Sequence, residues 1–301
     1  MRERSSQKND IILSVPGGLA GQLFAVGYGA WVSRELGKTT HIQFHDVGTE
    51  IAKFGLGNLL ETPTARHLGL SYSQVSGNWP PGSDGRQPNL LNGILTSLKS
   101  SPPWRFARGA FRGVREEYRT WLTERRSPPE DMNSSVISKN RLRKSRVGEV
   151  IAGYPTDYQI VEEAWALLSE MIRESDMPDF SHNCGLEESV AIHWRLGDYV
   201  RNEFHGAVGW SSLETCLRNA DSSNLPVRIF SDSPELAREI IGNGLRDRPH
   251  EIISNQIWED LIGMTRSRIF IGTHSGVSVL AAMALRNGNG NSRTWLPNKW
   301  F

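Results

Sequence analysis

The sequence predicts an α/β protein built on parallel sheets. Three observations lead there. Residues 11–46 read as strand, glycine turn, helix, strand. Short apolar runs and helical patterns alternate again between 147 and 285. Glycine- or serine-bearing turns stand where several of these runs end. Parallel strands need long, usually helical, crossovers, so this alternation is their signature.

The first unit sets the pattern. Ile11, Ile12 and Leu13 open an apolar run over 11–15, the mark of a buried strand. Pro16, Gly17 and Gly18 break it. Over 19–36 apolar residues return at helical spacing, through Leu23, Phe24, Ala30 and Trp31, and Gly37 ends the helix. A second strand follows over 40–44 and closes at Asp46; His41 and His45 read as structural. The result is one βαβ unit.

Residues 75–105 are rich in loops, with Pro80-Pro81-Gly82 and Pro102-Pro103. The stretch 104–126 is helical in pattern. It carries Arg105, Arg108, Arg112, Arg115 and Arg119 on one face, read as solvated rather than as a surface for acidic ligands. Residues 127–144 are polar, contain Pro128-Pro129, and read as a flexible segment. A new unit starts near Val147. Two Rossmann-like domains are therefore expected, 1–146 and 147–301, and 301 residues give room for both. In the second, Gly153-Tyr154-Pro155 opens a helix that continues over 161–172. Strands are expected at 188–193, 227–231 and 268–271, and helices at 258–267 and 277–285. Ser233-Pro234-Glu235 starts one more helix, with proline at its first turn. No repeat at fixed period is present.

Composition removes several classes of function. The apolar share is 38% and the charged share 22%, ordinary for a globular enzyme. Net charge is +1, so no global field favours nucleic acid or a membrane surface. The 10 tryptophans read mainly as core packing rather than as sugar-stacking platforms. Cys184 and Cys216 form neither a metal-like pair nor a disulfide scaffold, which fits a reducing cytoplasm. Residues 1–10 are polar and lead straight into a strand, without the apolar stretch of a signal peptide. No apolar run approaches the length of a membrane span. No Asp-x-Asp occurs, and none of the 8 histidines has zincin-like spacing, so no metal site and no cofactor are expected.

Three turns carry the candidate chemistry, because ligands of open α/β sheets bind at the carboxyl ends of strands. The first holds Gly17, Gly18 and Gln22, where glycines admit a ligand to the backbone and a helix begins. It fits neither the Walker A spacing nor the dinucleotide fingerprint. The second is His193-Trp194-Arg195-Leu196-Gly197-Asp198-Tyr199, which puts a guanidinium at a sheet edge. Arginine matches phosphate oxygens with paired donors, although Arg195 and Asp198 are also able to pair with each other. The third holds Thr273, Ser275, Gly276, Val277 and Ser278 ahead of a helix of small apolar residues. Hydroxyls at a helix N-terminus suit a phosphate, and Ser275 also suits plain N-capping. Asp232 ends another strand; it is placed either to accept hydrogen bonds from a base or ribose or to cap a helix.

Taken in order, these turns resemble the fucosyltransferase superfamily, most of all the bacterial-type α-1,2-fucosyltransferases of glycosyltransferase family 11. That family's opening Gly-Gly-Leu-Gly-Asn-Gln-Met-Phe is matched here by Gly17-Gly18-Leu19-Ala20-Gly21-Gln22-Leu23-Phe24. Its Gly-Tyr-Phe-Gln-Ser has a degenerate counterpart in Gly153-Tyr154-Pro155-Thr156-Asp157. Its His-x-Arg-Arg-Gly-Asp-Tyr is similar to 193–199, and its Phe-Ser-Asp to Phe230-Ser231-Asp232. Residues 50–145 have no counterpart. Leu196 replaces the second arginine, Gly21 replaces asparagine, and Ile271-Gly272-Thr273-His274-Ser275 is closer to the α-1,6- and protein O-fucosyltransferase versions.

The resemblance implies a GT-B-type fold, two Rossmann-like domains facing a cleft. It implies inverting, metal-independent transfer of L-fucose from GDP-β-L-fucose to a glycan hydroxyl, with α-1,2 linkage to galactose. Arg195 would meet the β-phosphate, residues 273–278 would cradle the diphosphate, Asp232 would read the guanine, and His193 would line the donor site. Gly17, Gly18 and Gln22 would face the cleft from the other domain. Asp198 would orient Arg195 or touch the sugar, and Glu203 matches the spacing of a base in the α-1,6 enzymes. The implied partners are GDP-fucose and a glycan acceptor, lipid-linked acceptors bringing the enzyme to a membrane surface, and no nucleic acid. A transferase for another nucleotide sugar and a non-catalytic GDP- or sugar-binding relative remain open beside it.

Overall fold

The computed structural model describes residues 11–16, 18–45, 56–75, 136–180, 186–197, 199–200, 207–220, 224–288 and 292–296. The arginine-bearing stretch 104–126 lies outside them, as do Gly17, Asp46, Cys184, Asp198 and Glu203.

The chain begins with strand β1 (Ile11–Pro16), helix α1 (Leu19–Leu36) and strand β2 (Thr40–His45). β1 and β2 pair in parallel from Ile11 opposite Thr40 to Pro16 opposite His45. Every α1 residue from Gln22 to Val32 is buried. A helix apolar on all sides belongs between two layers, and α1 lies there. His41 and His45 are structural as expected. The two ring nitrogens of His41 lie 2.9 Å from the hydroxyls of Ser71 and Ser73, and His45 Nε2 lies 2.6 Å from Ser14 Oγ.

Two short helices follow, α2 (Leu56–Leu60) and α3 (Pro63–His67), and then strand β3 (Leu70–Val75). Thr62 caps α3 by accepting from the Ala65 N–H at 3.2 Å, with Pro63 in the first turn. Helix α4 (Lys139–Lys144) corrects the flexible reading of 127–144 at its end: Ser138 caps it and Leu142 is fully buried. A polar sequence needs few apolar anchors to hold one and a half turns when a cap is present. Strand β4 (Glu149–Ala152) then pairs with β1, so the first sheet runs β3-β2-β1-β4. Helices α5 (Tyr158–Glu163) and α6 (Trp165–Glu174) return to α1. There the Trp31 indole donates to Glu163 at 2.8 Å, and Tyr28 OH accepts from the Asp157 N–H at 2.6 Å. The boundary expected at 146/147 therefore falls inside the elements of the first sheet. The passage to the second lies between 180 and strand β5 (Glu187–His193).

The second sheet alternates without interruption. After β5 come α7 (Trp210–Asn219), β6 (Val227–Phe230), α8 (Pro234–Ile241) and β7 (His250–Ile253). They are followed by α9 (Ile257–Thr265), β8 (Ser267–Ile271), α10 (Gly276–Gly288) and β9 (Arg293–Trp295). The order is β7-β6-β5-β8-β9, every pair parallel. Two parallel α/β sheets are the architecture expected.

Side-chain alternation assigns each face of the second sheet to its own core. Val190, Ile192, Ile229 and Ile271 enter one cluster with Trp194 and Leu196. Ala191, Phe230 and Phe270 face the other way and join α9, α10, α1 and the first sheet in one continuous cluster. The rings of Phe180 and Trp258 stack 5.8 Å apart across the same join. No described helix is long and apolar enough to cross a membrane.

Gly276 is where α10 meets α1. A Cβ placed there would lie 2.9 Å from Ala20 Cβ and 3.2 Å from Phe24 Cε2. Neither atom moves cheaply, so Gly276→Ala should cost about 1–3 kcal/mol as overpacking, read as a fall in thermal midpoint. Adding Ala20→Gly should restore part of the loss.

Candidate functional site at the ends of the parallel strands

In the second sheet the chain moves outward from β5 to β6 and β7, then crosses to β8 on the other side of β5. The strand order reverses between β5 and β8, and such a point leaves a crevice beyond the carboxyl ends of the strands. The turns 193–197 and 272–278 both lie there, following β5 and β8.

Alternation after β5 decides what each residue does. Trp194 turns into the second core, where its N–H donates to the Phe230 carbonyl at 2.8 Å and its indole to the Val208 carbonyl at 2.7 Å. Leu196 is fully buried in the same core. Arg195 turns toward the crevice, and its side chain is 34% exposed. Thr273, Asp232 and Tyr199 are among the groups that hold it. Its backbone N–H donates to Thr273 Oγ1 at 3.3 Å. Its Nε pairs with Asp232 Oδ2 at 3.0 Å. Its guanidinium carbon stands 5.8 Å from the centre of the Tyr199 ring.

Asp232 does more than pair with Arg195. Its Oδ1 accepts from the N–H groups of Leu196 at 2.9 Å and Gly197 at 3.1 Å. The carboxylate thus fixes the whole turn that carries the arginine. Gly197 is required by this contact, because a Cβ there would lie 2.5 Å from Asp232 Oδ2. The arginine partner left open as Asp198 includes Asp232, a residue distant in sequence.

His193 and Ser278 form the floor. His193 Nδ1 lies 2.7 Å from Ser278 Oγ, which also accepts from the Thr273 N–H at 3.0 Å. Both residues are buried. Burial foremost, then the Arg195 charge, lowers the His193 pKa to about 4 against the opposing pull of Asp232. The ring is therefore neutral and adds no charge to the crevice. Thr273 and Ser275 are also buried, Gly276 and Val277 half-buried. The Ser275 N–H donates to the Thr273 carbonyl at 2.7 Å, and the Ser275 carbonyl accepts from Val279 at 3.1 Å to open α10.

The first sheet contributes the N-terminus of α1. Gly18 is exposed at the N-cap, and its carbonyl accepts from the buried Gln22 at 3.1 Å. Because Ala20 touches Gly276, the first turns of α1 and α10 abut. Two positive helix ends and one guanidinium then face the same region, an arrangement suited to a multiply charged anion. Among the described residues no group of three His, Cys, Asp or Glu side chains is placed to hold a metal ion. Of the residues singled out in the sequence, Gly18, Gln22, His193, Arg195, Asp232 and 273–278 are described around this junction. Sequence reasoning gave Tyr158 no role at the site. It packs on Phe24 with ring centres 5.1 Å apart. Its only signal was a place shortly after the Gly153-Tyr154-Pro155 turn.

No protein-family model matches the chain, and no curated protein matches it. Among solved structures it is similar to POFUT1 in complex with GDP-fucose, at 12% identity and a TM-score of 0.41, covering 98% of this chain and 99% of that one. It is similar to TibC, an iron-containing dodecameric glycosyltransferase of enterotoxigenic E. coli, at 12% identity and a TM-score of 0.37, covering 96% of this chain and 58% of that one. A glycosyl transferase family 9 protein from Veillonella parvula gives 10% identity and a TM-score of 0.37, covering 97% and 86%. All three likenesses are remote.

The buried histidine makes stability depend on pH. Folded His193 takes a proton only near pH 4, whereas in the unfolded chain it does so near 6.5. Between those values the unfolded state binds more protons, so stability rises with pH across the window and falls on acidification. Burial lowers His41 and His45 too, and they act in the same direction. The share from His193 should be on the order of 3 kcal/mol. Thermal melts from about pH 7 down to about pH 4 should show a falling midpoint, and His193→Gln should flatten that dependence.

Proposed function

We propose that this chain is a glycosyltransferase that binds a nucleoside-diphosphate sugar at the β5–β8 crevice. The observation that carries the reading is Arg195, fixed by Asp232 and Thr273 beside the abutting helix ends. Motif resemblance narrows the donor to GDP-β-L-fucose and the product to an α-linked fucoside, with α-1,2 linkage to galactose as the first linkage to test.

The chemistry follows from where charge moves. The bond between fucose C1 and the β-phosphate oxygen breaks, and its electron pair stays on that oxygen. An acceptor hydroxyl attacks C1 from the opposite face, through an oxocarbenium-like transition state, which inverts the anomeric centre. The acceptor proton passes to a base, for which Glu203 is the candidate by spacing. Negative charge grows on the β-phosphate in the transition state, so Arg195 and the α10 N-terminus act most strongly there. Asp232 serves the reaction by holding the arginine. Its three hydrogen bonds to the turn fit that role better than direct reading of guanine.

One observation favours a second reading, a GDP-binding relative without turnover. Leu196 occupies the place of the family's second arginine and is fully buried in the second core, so position 196 brings no charge to the crevice.

Calorimetric titration with GDP, ADP and UDP, with chelator present, tests the donor class. Selective binding of GDP is expected, and binding that needs added metal would overturn the reading. Arg195→Ala should lower kcat by about 10²–10³, as for loss of one oxyanion donor. Selective GDP binding with neither transfer nor donor hydrolysis would instead establish the second reading.

A further inference from the structure

We infer that Tyr199 is a positioning residue for Arg195, supplying the aromatic face against which the guanidinium is set. This rests on the proposed role of Arg195 as the ligand of the donor's β-phosphate. Asp232 grips the guanidinium by its Nε edge, at 3.0 Å. An ion pair at the Nε edge sets one side of the guanidinium, and an aromatic face sets its plane. The centre of the Tyr199 ring lies 5.8 Å from the guanidinium carbon. That distance lies within the range of cation–π attraction.

The backbone brings the ring back to the arginine. The Val200 N–H donates to the Leu196 carbonyl at 2.8 Å, closing a turn that carries Tyr199. Tyr158 of α5, in the first sheet's layer, lies near enough to Tyr199 to feel its charge. Its phenol titrates above the ordinary range, through burial first and the neighbouring Tyr199 second. Tyr158 in turn packs on Phe24 of α1, and Phe24 borders Gly276 at the start of α10.

A residue that acts through Arg195 on the β-phosphate changes affinity for GDP and leaves affinity for GMP unchanged. A residue that only fills space changes both. Wild type, Tyr199→Phe, Tyr199→Ala, Arg195→Ala and the Tyr199→Ala/Arg195→Ala double variant are titrated with GDP and with GMP, each after a thermal melt. Tyr199→Ala should weaken GDP binding by about threefold to tenfold with GMP unchanged. Tyr199→Phe, which keeps the ring, should bind both as wild type does. In the Arg195→Ala background, Tyr199→Ala should add no further loss. Should Tyr199→Ala not fold, Tyr199→Leu keeps the bulk, removes the aromatic face and reads the same effect. Equal weakening toward GDP and GMP, unchanged GDP binding in Tyr199→Ala, or an undiminished loss in the arginine-less background would each overturn the inference alone. A wild-type chain that binds no nucleoside diphosphate would overturn the proposed function, and the inference with it.

Discussion

The carboxylate of Asp232 stands at the end of β6 and holds three donors from the turn after β5: the N–H groups of Leu196 and Gly197 and Nε of Arg195. A turn beyond a strand end has no ladder to satisfy its N–H groups, and a side chain from the next strand does so here. The β5–β6 register, with His193 opposite Phe230, brings the two ends side by side. Much else depends on this contact. Gly197 must lack a side chain, Leu196 is directed into the second core, and Arg195 is left facing the crevice. The exposed ion pair alone is a weak stabiliser. Its weight lies in orientation, because it holds the Nε edge of the guanidinium in place before a ligand arrives.

What the sequence disclosed and what it hid divides along the sheets. β1, β5, β6 and β8 were all legible, and each is a central strand buried on both faces. Their apolar runs announce them. β3, β4, β7 and β9 were not read, and all four are edge strands. His250 and Glu251 of β7 are exposed, as are Val150 of β4 and Arg293 of β9. An edge strand is short and polar because it must not offer an apolar ladder to other chains, and the same property erases its signal. β4 lies just after the boundary expected at 146/147 and pairs with β1 of the first sheet, a pairing its exposed sequence does not announce.

The site was legible in its parts and illegible in its wiring. Arg195, Thr273 and Ser278 stand out as residues at strand ends. That His193 and Ser278 would bond to each other beneath the surface depends on the start of α10 lying beside the end of β5. Pairing of Arg195 with Asp232 likewise needs the strand order. α1 shows the opposite case. Its apolar residues run round the whole helix, and the continuous core between the sheets takes up every side of it from Gln22 to Val32.

The placement of β4 has a consequence for any attempt to divide the molecule. Composition invites a cut at 146/147, and an N-terminal fragment made there would lack the strand that covers one side of β1. β1 would then present Ile11, Leu13 and Val15, all buried in the intact chain, along an open row of unpaired amides and carbonyls. Such an edge is a template for further strands. The fragment would carry its own nucleus for aggregation, and its insolubility would report a misplaced cut rather than an unstable fold.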